Sequence, residues 1–164
     1  MDDAELTAEL GEPGAQELLR TGLLARLAYN GKDGHPRVVP TGFLWDRGQV
    51  FCCTATTAAK VKAITARPDV ALTIDSADGA SRSLLIRGPA EIEIVDGVPW
   101  EYLAASRKVS DEAGSAAFEG AVRRMYPQMA RIAVTPVWAR YYDFGNGRLP
   151  AFLQQLADAS QRGS

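Results

Sequence analysis

Apolar residues recur along the chain with two periods, and each change of period marks a new element. Leu23–Tyr29 is a short β-prone run and predicts a first strand. Arg37–Trp45 and Val50–Thr54 are two more, joined by the turn signal Asp46-Arg47-Gly48, so they predict a hairpin. Val70–Ile74 predicts a short strand and Arg82–Val95 the longest one. In that strand Leu84, Ile86, Ala90, Ile92 and Ile94 alternate with Leu85, Arg87, Glu91 and Glu93, so its later half carries one apolar and one charged face. Gly88-Pro89 interrupts it and predicts a bulge or bend. Ala130–Phe144 reads as a final strand broken by Pro136. Helical patterns cover Ala15–Arg20, Ala55–Ala66, Pro99–Val109, Ala113–Met125 and Leu149–Ala159. Thr56 or Thr57 is a natural N-cap for the second of these, and Arg67-Pro68 stops it. Residues 1–12 read as a loose start.

Six strands joined by hairpin-scale turns, with helices inserted between them, predict a mainly β (α+β) fold: a six-stranded antiparallel barrel with peripheral helices. One domain is expected over 1–164, with its core at about 20–146 and a closing helix at about 149–160. No G-x-G-x-x-G follows a strand, which argues against a dinucleotide-binding fold.

Composition narrows the function classes. A net charge of −2 gives no electrostatic footprint for nucleic acid. Polar residues interrupt every apolar run before membrane-spanning length, and the acidic start Met1-Asp-Asp-Ala-Glu5 lacks the order of a secretory signal, so a cytoplasmic protein is expected. Cys52 and Cys53 are adjacent, so in a strand they point to opposite faces, as small hydrophobes rather than a redox pair. The single histidine, His35, sits in the turn Gly31–Pro36, so neither a zinc site nor a histidine triad has support.

One junction carries candidate chemistry. Where the Val50 strand passes into its helix, hydroxyls at Thr54, Thr56 and Thr57 stand beside Lys60 and Lys62. A helix N-terminus adds unpaired N–H groups and a partial positive charge, so the combination suits a phosphate. The same residues would serve equally as a simple cap and a solvated face, and spacing alone leaves both readings open.

The ordered pieces Arg37-Val-Val-Pro-Thr-Gly-Phe-Leu-Trp-Asp46, Val50-Phe-Cys-Cys-Thr54, Lys60-Val-Lys62, Arg67-Pro-Asp-Val-Ala-Leu72 and Arg82-Ser-Leu-Leu-Ile-Arg-Gly-Pro-Ala-Glu91 resemble the pyridoxamine 5′-phosphate oxidase-like family. The resemblance is good over about 20–95 and continues more weakly to Phe144. It implies a split β-barrel and a homodimer holding FMN or the deazaflavin F-420 at the subunit interface. It also implies roles by position. Arg37, Val38 and Val39 would approach the isoalloxazine and ribityl portion, and Cys53 and Thr54 the ribityl and phosphate end. Thr57, Ala59, Lys60 and Lys62 would surround the phosphate, and Ser83 stands where some relatives reach the partner's flavin with an amide.

The departures matter. Gly42 and Ala59 replace basic residues of the oxidases, which thins the phosphate clamp and tilts the cofactor towards F-420. The segment Trp138–Gly147 lacks the substrate-gripping histidine of true pyridoxamine phosphate oxidases. The resemblance therefore points to the flavin- and deazaflavin-dependent reductase branch, where the cofactor passes a hydride to a small conjugated acceptor and no catalytic side chain is required. The alternatives are a non-catalytic split-barrel protein that binds FMN, F-420 or haem, and a structural dimer without ligand.

Overall fold

The computed structural model describes residues 1–22, 24–76 and 81–162. Six α-helices and eight β-strands follow one another as α1 (Asp3–Gly11), α2 (Pro13–Thr21), β1 (Ala25–Asn30), β2 (Pro36–Thr41), β3 (Leu44–Asp46), β4 (Gln49–Ala55), α3 (Ala59–Ala66), β5 (Asp69–Asp75), β6 (Arg82–Asp96), α4 (Trp100–Ser106), α5 (Glu112–Met125), β7 (Gln128–Val134), β8 (Trp138–Asp143) and α6 (Ala151–Arg162). A 3₁₀ turn, Phe144–Asn146, precedes α6. Leu23, the start of the expected first strand, and residues 77–80 of the expected 75–81 loop lie outside the described residues.

The expected six strands are eight because two runs divide. Arg37–Trp45 splits at Gly42-Phe43 into β2, which pairs with β1, and β3, which forms the expected hairpin with β4. That hairpin closes through Arg47 (φ 47°) and Gly48 (φ 76°), the two left-handed positions of a two-residue turn. Ala130–Phe144 splits at Pro136 into β7 and β8.

All pairings are antiparallel, in the order β2-β1-β5-β6-β7-β4-β3, with β8 added to β6. The path is open: no ladder joins β2 to β3 among the described residues, so a closed barrel is not what these strands form. The architecture is mixed α+β, built on one folded antiparallel sheet.

The fold of the sheet is made by β6. Its first half, to Pro89, lies between β5 and β8, and its second half, from Ala90, pairs with β7. The changeover falls at Gly88-Pro89, where the sequence predicts a bend. The β7–β8 corner crosses there: Thr135 N–H donates to Pro89 O at 3.0 Å and Val137 N–H to Arg87 O at 2.9 Å. A β-carbon on Gly88 would sit 1.9 Å from Thr135 O, so glycine is required by the close approach of two backbones. The main core fills the fold between the sheet halves, with Leu72, Leu84, Ile86, Ile132 and Phe43 fully buried. The apolar face of β6 gives out beyond Ile92, because Ile94 is 48% exposed.

The start of the chain is not loose. Asp2 and Glu5 form a reciprocal capping box on α1. Glu9 then accepts from Tyr141 N–H (2.8 Å), Arg140 (2.7 Å) and Arg148 (2.8 Å), clamping α1 to β8 and the turn after it. These donors outweigh the opposing effect of burial and hold the Glu9 carboxyl below its ordinary value of 4.5. Among the described residues, no helix is long and apolar enough to cross a membrane.

Gly88→Ala is expected to destabilise the chain by about 3 kcal/mol, since neither backbone can yield without breaking the corner; a urea melt measures this. Glu9→Gln is expected to lower stability at pH 7 by about 1–3 kcal/mol. Because the folded-state carboxyl titrates below the unfolded one, the difference from the parent chain should persist above pH 4.5 and shrink as pH falls below it. Melts of both chains at pH 7 and pH 4 check this sign.

Candidate functional site

Helix α3 begins later than its threonines suggest. Thr56 and Thr57 lie in a turn closed by Ala58 N–H to Ala55 O (3.1 Å), and the capping position is Ala58, which offers no side-chain acceptor. Neither threonine is the cap. The first turn also carries no acidic residue. The helix start therefore keeps unpaired N–H groups and an uncompensated positive end, which is what an anion needs.

Val61, Ala63 and Ile64 bury one face of α3, leaving Ala59 and Lys62 exposed and Lys60 half-buried. Two residues on a helix are roughly 200° apart around its axis, so Lys60 and Lys62 diverge. Lys62 and Ala59 line a pocket of about 330 Å³ with Tyr29, Lys32, Asp33 and Arg37. Lys60 turns the other way, close enough to the buried Cys52 to favour its thiolate. Burial dominates that thiol and pushes it up to about 12.

Three cations (Lys32, Arg37 and Lys62) and one carboxylate (Asp33) face this pocket. Arg37 Nη2 donates to Asp33 Oδ2 at 2.7 Å, and this bond holds the Asp33 carboxyl below its ordinary range. Arg67, where α3 ends, donates to Gly31 O at 2.7 Å and so ties the β1–β2 turn to the helix. The pocket is thus framed by β1, the β1–β2 turn and α3. Its cationic lining and uncapped helix fit a phosphate-bearing group. Val39 is half-buried against the main core, while Val38 is 63% exposed.

The structure divides the remaining expected residues. Thr54 is half-buried on β4 and Thr57 exposed in the turn; neither lines this pocket. Ser83 lies on β6 between Asp75 and Tyr142, away from it. Cys53 faces α4 and α5 and lines a second pocket of about 210 Å³ with Phe51, Glu101, Tyr102 and Phe118. Strand alternation is the reason: Cys52 enters the main core and its neighbour must point outwards. Asp33 was legible as an acidic partner four residues before Arg37. Glu101 was not, since its partner Arg131 lies thirty positions further on.

A family model described as pyridoxamine 5′-phosphate oxidase matches residues 12–143. An F420 reductase is 27% identical, with 76% of this chain and 94% of that one covered and a TM-score of 0.58. The conserved hypothetical protein Rv2991 of Mycobacterium tuberculosis is 16% identical over 92% of this chain and 89% of its own, with a TM-score of 0.59. The haem storage protein HutZ of Vibrio cholerae is 13% identical over 78% and 92%, with a TM-score of 0.57. No curated protein matches at a comparable level. The family match runs from the start of α2 to the end of β8, and the chain belongs to the pyridoxamine 5′-phosphate oxidase family.

Proposed function

We propose that this chain is an oxidoreductase that binds F-420 or FMN and serves the passage of a hydride between that cofactor and a small conjugated acceptor. The observation that carries the reading is the meeting of Arg37, Lys62 and Ala59 in one cationic pocket beside an uncapped helix start. Those positions come from separate stretches of the sequence. The F420 reductase at 27% identity supports the same chemistry.

The residues then divide the work. The free N–H groups of α3 and the Lys62 ammonium hold the phosphate, with Lys60 and Thr57 on the flank of the same turn. Arg37, with Val38 and Val39 beside it, meets the ring portion along β2. Thr54 sits where β4 approaches the junction, and Cys53 contributes bulk from behind the strand. Ser83 addresses the cofactor of a second copy, and exposed Val38 is suited to burial in that homodimer. The bound cofactor supplies the hydride chemistry, so the protein's task is to hold and orient.

Titrating the full chain with F-420, FMN and haemin separates the readings, with absorbance as the readout. Saturable binding of F-420 or FMN, followed by oxidation of the reduced cofactor by an enone or quinone, is expected. Binding without turnover, or binding of haemin alone, would sink the oxidoreductase reading. Lys62→Ala should weaken cofactor affinity about tenfold or more, the worth of a charged hydrogen bond, and Lys60→Ala, whose ammonium turns towards Cys52, should weaken it less. Asp33→Asn should act in the opposite direction. It releases Arg37 from an exposed ion pair and should tighten the anionic cofactor roughly two- to fivefold.

A further inference from the structure

Strand β8 has β6 on one side and, among the described residues, no strand on the other. A sheet edge of this kind presents a row of backbone groups with which another chain can pair. Here the outward N–H groups are already taken. Asp143 N–H donates to Arg148 O at 3.0 Å, in a one-residue bridge made by the turn that follows. The next two are met by side chains from the start of the chain: Tyr141 N–H donates to Glu9 Oε2 at 2.8 Å and Ala139 N–H to Met1 Sδ at 3.4 Å. A helix and the residues before it thus stand in for a strand, with side-chain acceptors at the two-residue spacing of an edge.

This cover is lightly held. Glu9 is the buried residue of α1, and Leu6 and Leu10 are half-buried against the main core. Nine residues are fewer than the roughly 12–15 that a helix needs to persist alone in water. A thioether is a weak acceptor, so the Glu9 carboxylate is the main key. Helix α1 also lies ahead of the span matched by the family model, and the strand it covers lies within that span.

Charge decides what fits beneath it. Arg140 and Arg148 converge on Glu9 at 2.7 and 2.8 Å. When α1 lifts, the N–H groups of Ala139 and Tyr141 lose their acceptors, and Arg140 loses its counter-charge, while Arg148 keeps Glu12. A second copy of β8 is a poor occupant: a register that uses both freed N–H groups sets Arg140 opposite Arg140, and like charges directly opposite repel. An extended segment offers backbone acceptors to both N–H groups, and a carboxylate on it replaces that of Glu9. We propose that α1 is a displaceable guard, and that the β8 edge beneath it docks an extended acidic segment of a partner protein. The inference does not depend on the cofactor reading, because neither Ala139 nor Tyr141 lines the Arg37 pocket.

The test is a titration of the full chain and of its Glu9→Ala variant with two end-blocked pentapeptides, Val-Thr-Glu-Thr-Val and Val-Thr-Lys-Thr-Val, read by backbone amide chemical shifts. Saturable binding of the glutamate peptide to Glu9→Ala is expected, with the largest shifts at Ala139 and Tyr141. It should be at least about fivefold tighter than binding of the lysine peptide. The parent chain should bind the glutamate peptide at least about fivefold more weakly than Glu9→Ala, because its guard must first lift. Adding Arg140→Ala to Glu9→Ala should cost the glutamate peptide roughly two- to fivefold and the lysine peptide nothing. If Glu9→Ala does not fold, Leu6→Ser, which loosens α1 without touching β8, takes its place with the same expectations. Light scattering should give the variant the same mass as the parent chain. No binding by the variant, equal affinity for the two peptides, equal affinity of variant and parent, shifts away from β8, or a rise in mass that shows a second copy on the edge would overturn the proposal.

Discussion

At Gly88 the backbone of β6 comes so close to the Thr135-Pro136 corner that no side chain fits between them. Much else follows from this contact. It lets one fifteen-residue strand serve two sheet halves, with β5 and β8 flanking it before the bend and β7 after it. Because the sheet folds here rather than running flat, both halves turn apolar faces towards one core. Pro136 completes the corner: lacking an N–H, it asks for no ladder partner where the chain leaves β7 and enters β8.

The folded sheet sets β4 between two environments. Cys52 looks into the main core, while Cys53 looks out towards α4 and α5. At the end of the same strand the chain turns into α3, whose uncapped start and cationic surroundings face the β1–β2 turn. The chain thus carries a positive pocket suited to an anion, framed by β1, its turn and α3, and an aromatic pocket with a carboxylate in its wall on the outer face of β4. Lys108 joins the helical layer to the rest: its ammonium donates to Gly22 O at 3.1 Å and lies 3.8 Å from the centre of the Phe43 ring. Burial there pulls it down to about 8, and its charge is committed to holding the layers together.

Local patterns determined a good deal. The hairpin turn at Arg47-Gly48, the stop at Arg67-Pro68, the bend at Gly88-Pro89 and most helix positions depend on backbone preferences within a few residues, so they were legible. Arg37 and Lys62 were legible as candidates because charged residues beside a strand-to-helix junction have a stated physical use. The capping box at Asp2 and Glu5 was equally local, and it marks the first helix that the chain's polar opening obscures.

The tertiary structure decided what depends on distant partners. Continuous β-prone runs became two strands each, because pairing with β1 or β4, and with β7 or β8, is a choice between remote neighbours. The open edges of the sheet, the clamp of Glu9 by Arg140 and Arg148, and the sorting of Lys60 from Lys62 arise in the same way. So does the setting of Glu101, whose neighbours Cys53 and Arg131 flank it from far along the chain. Sequence period tells which side of an element is apolar; only packing tells what that side meets.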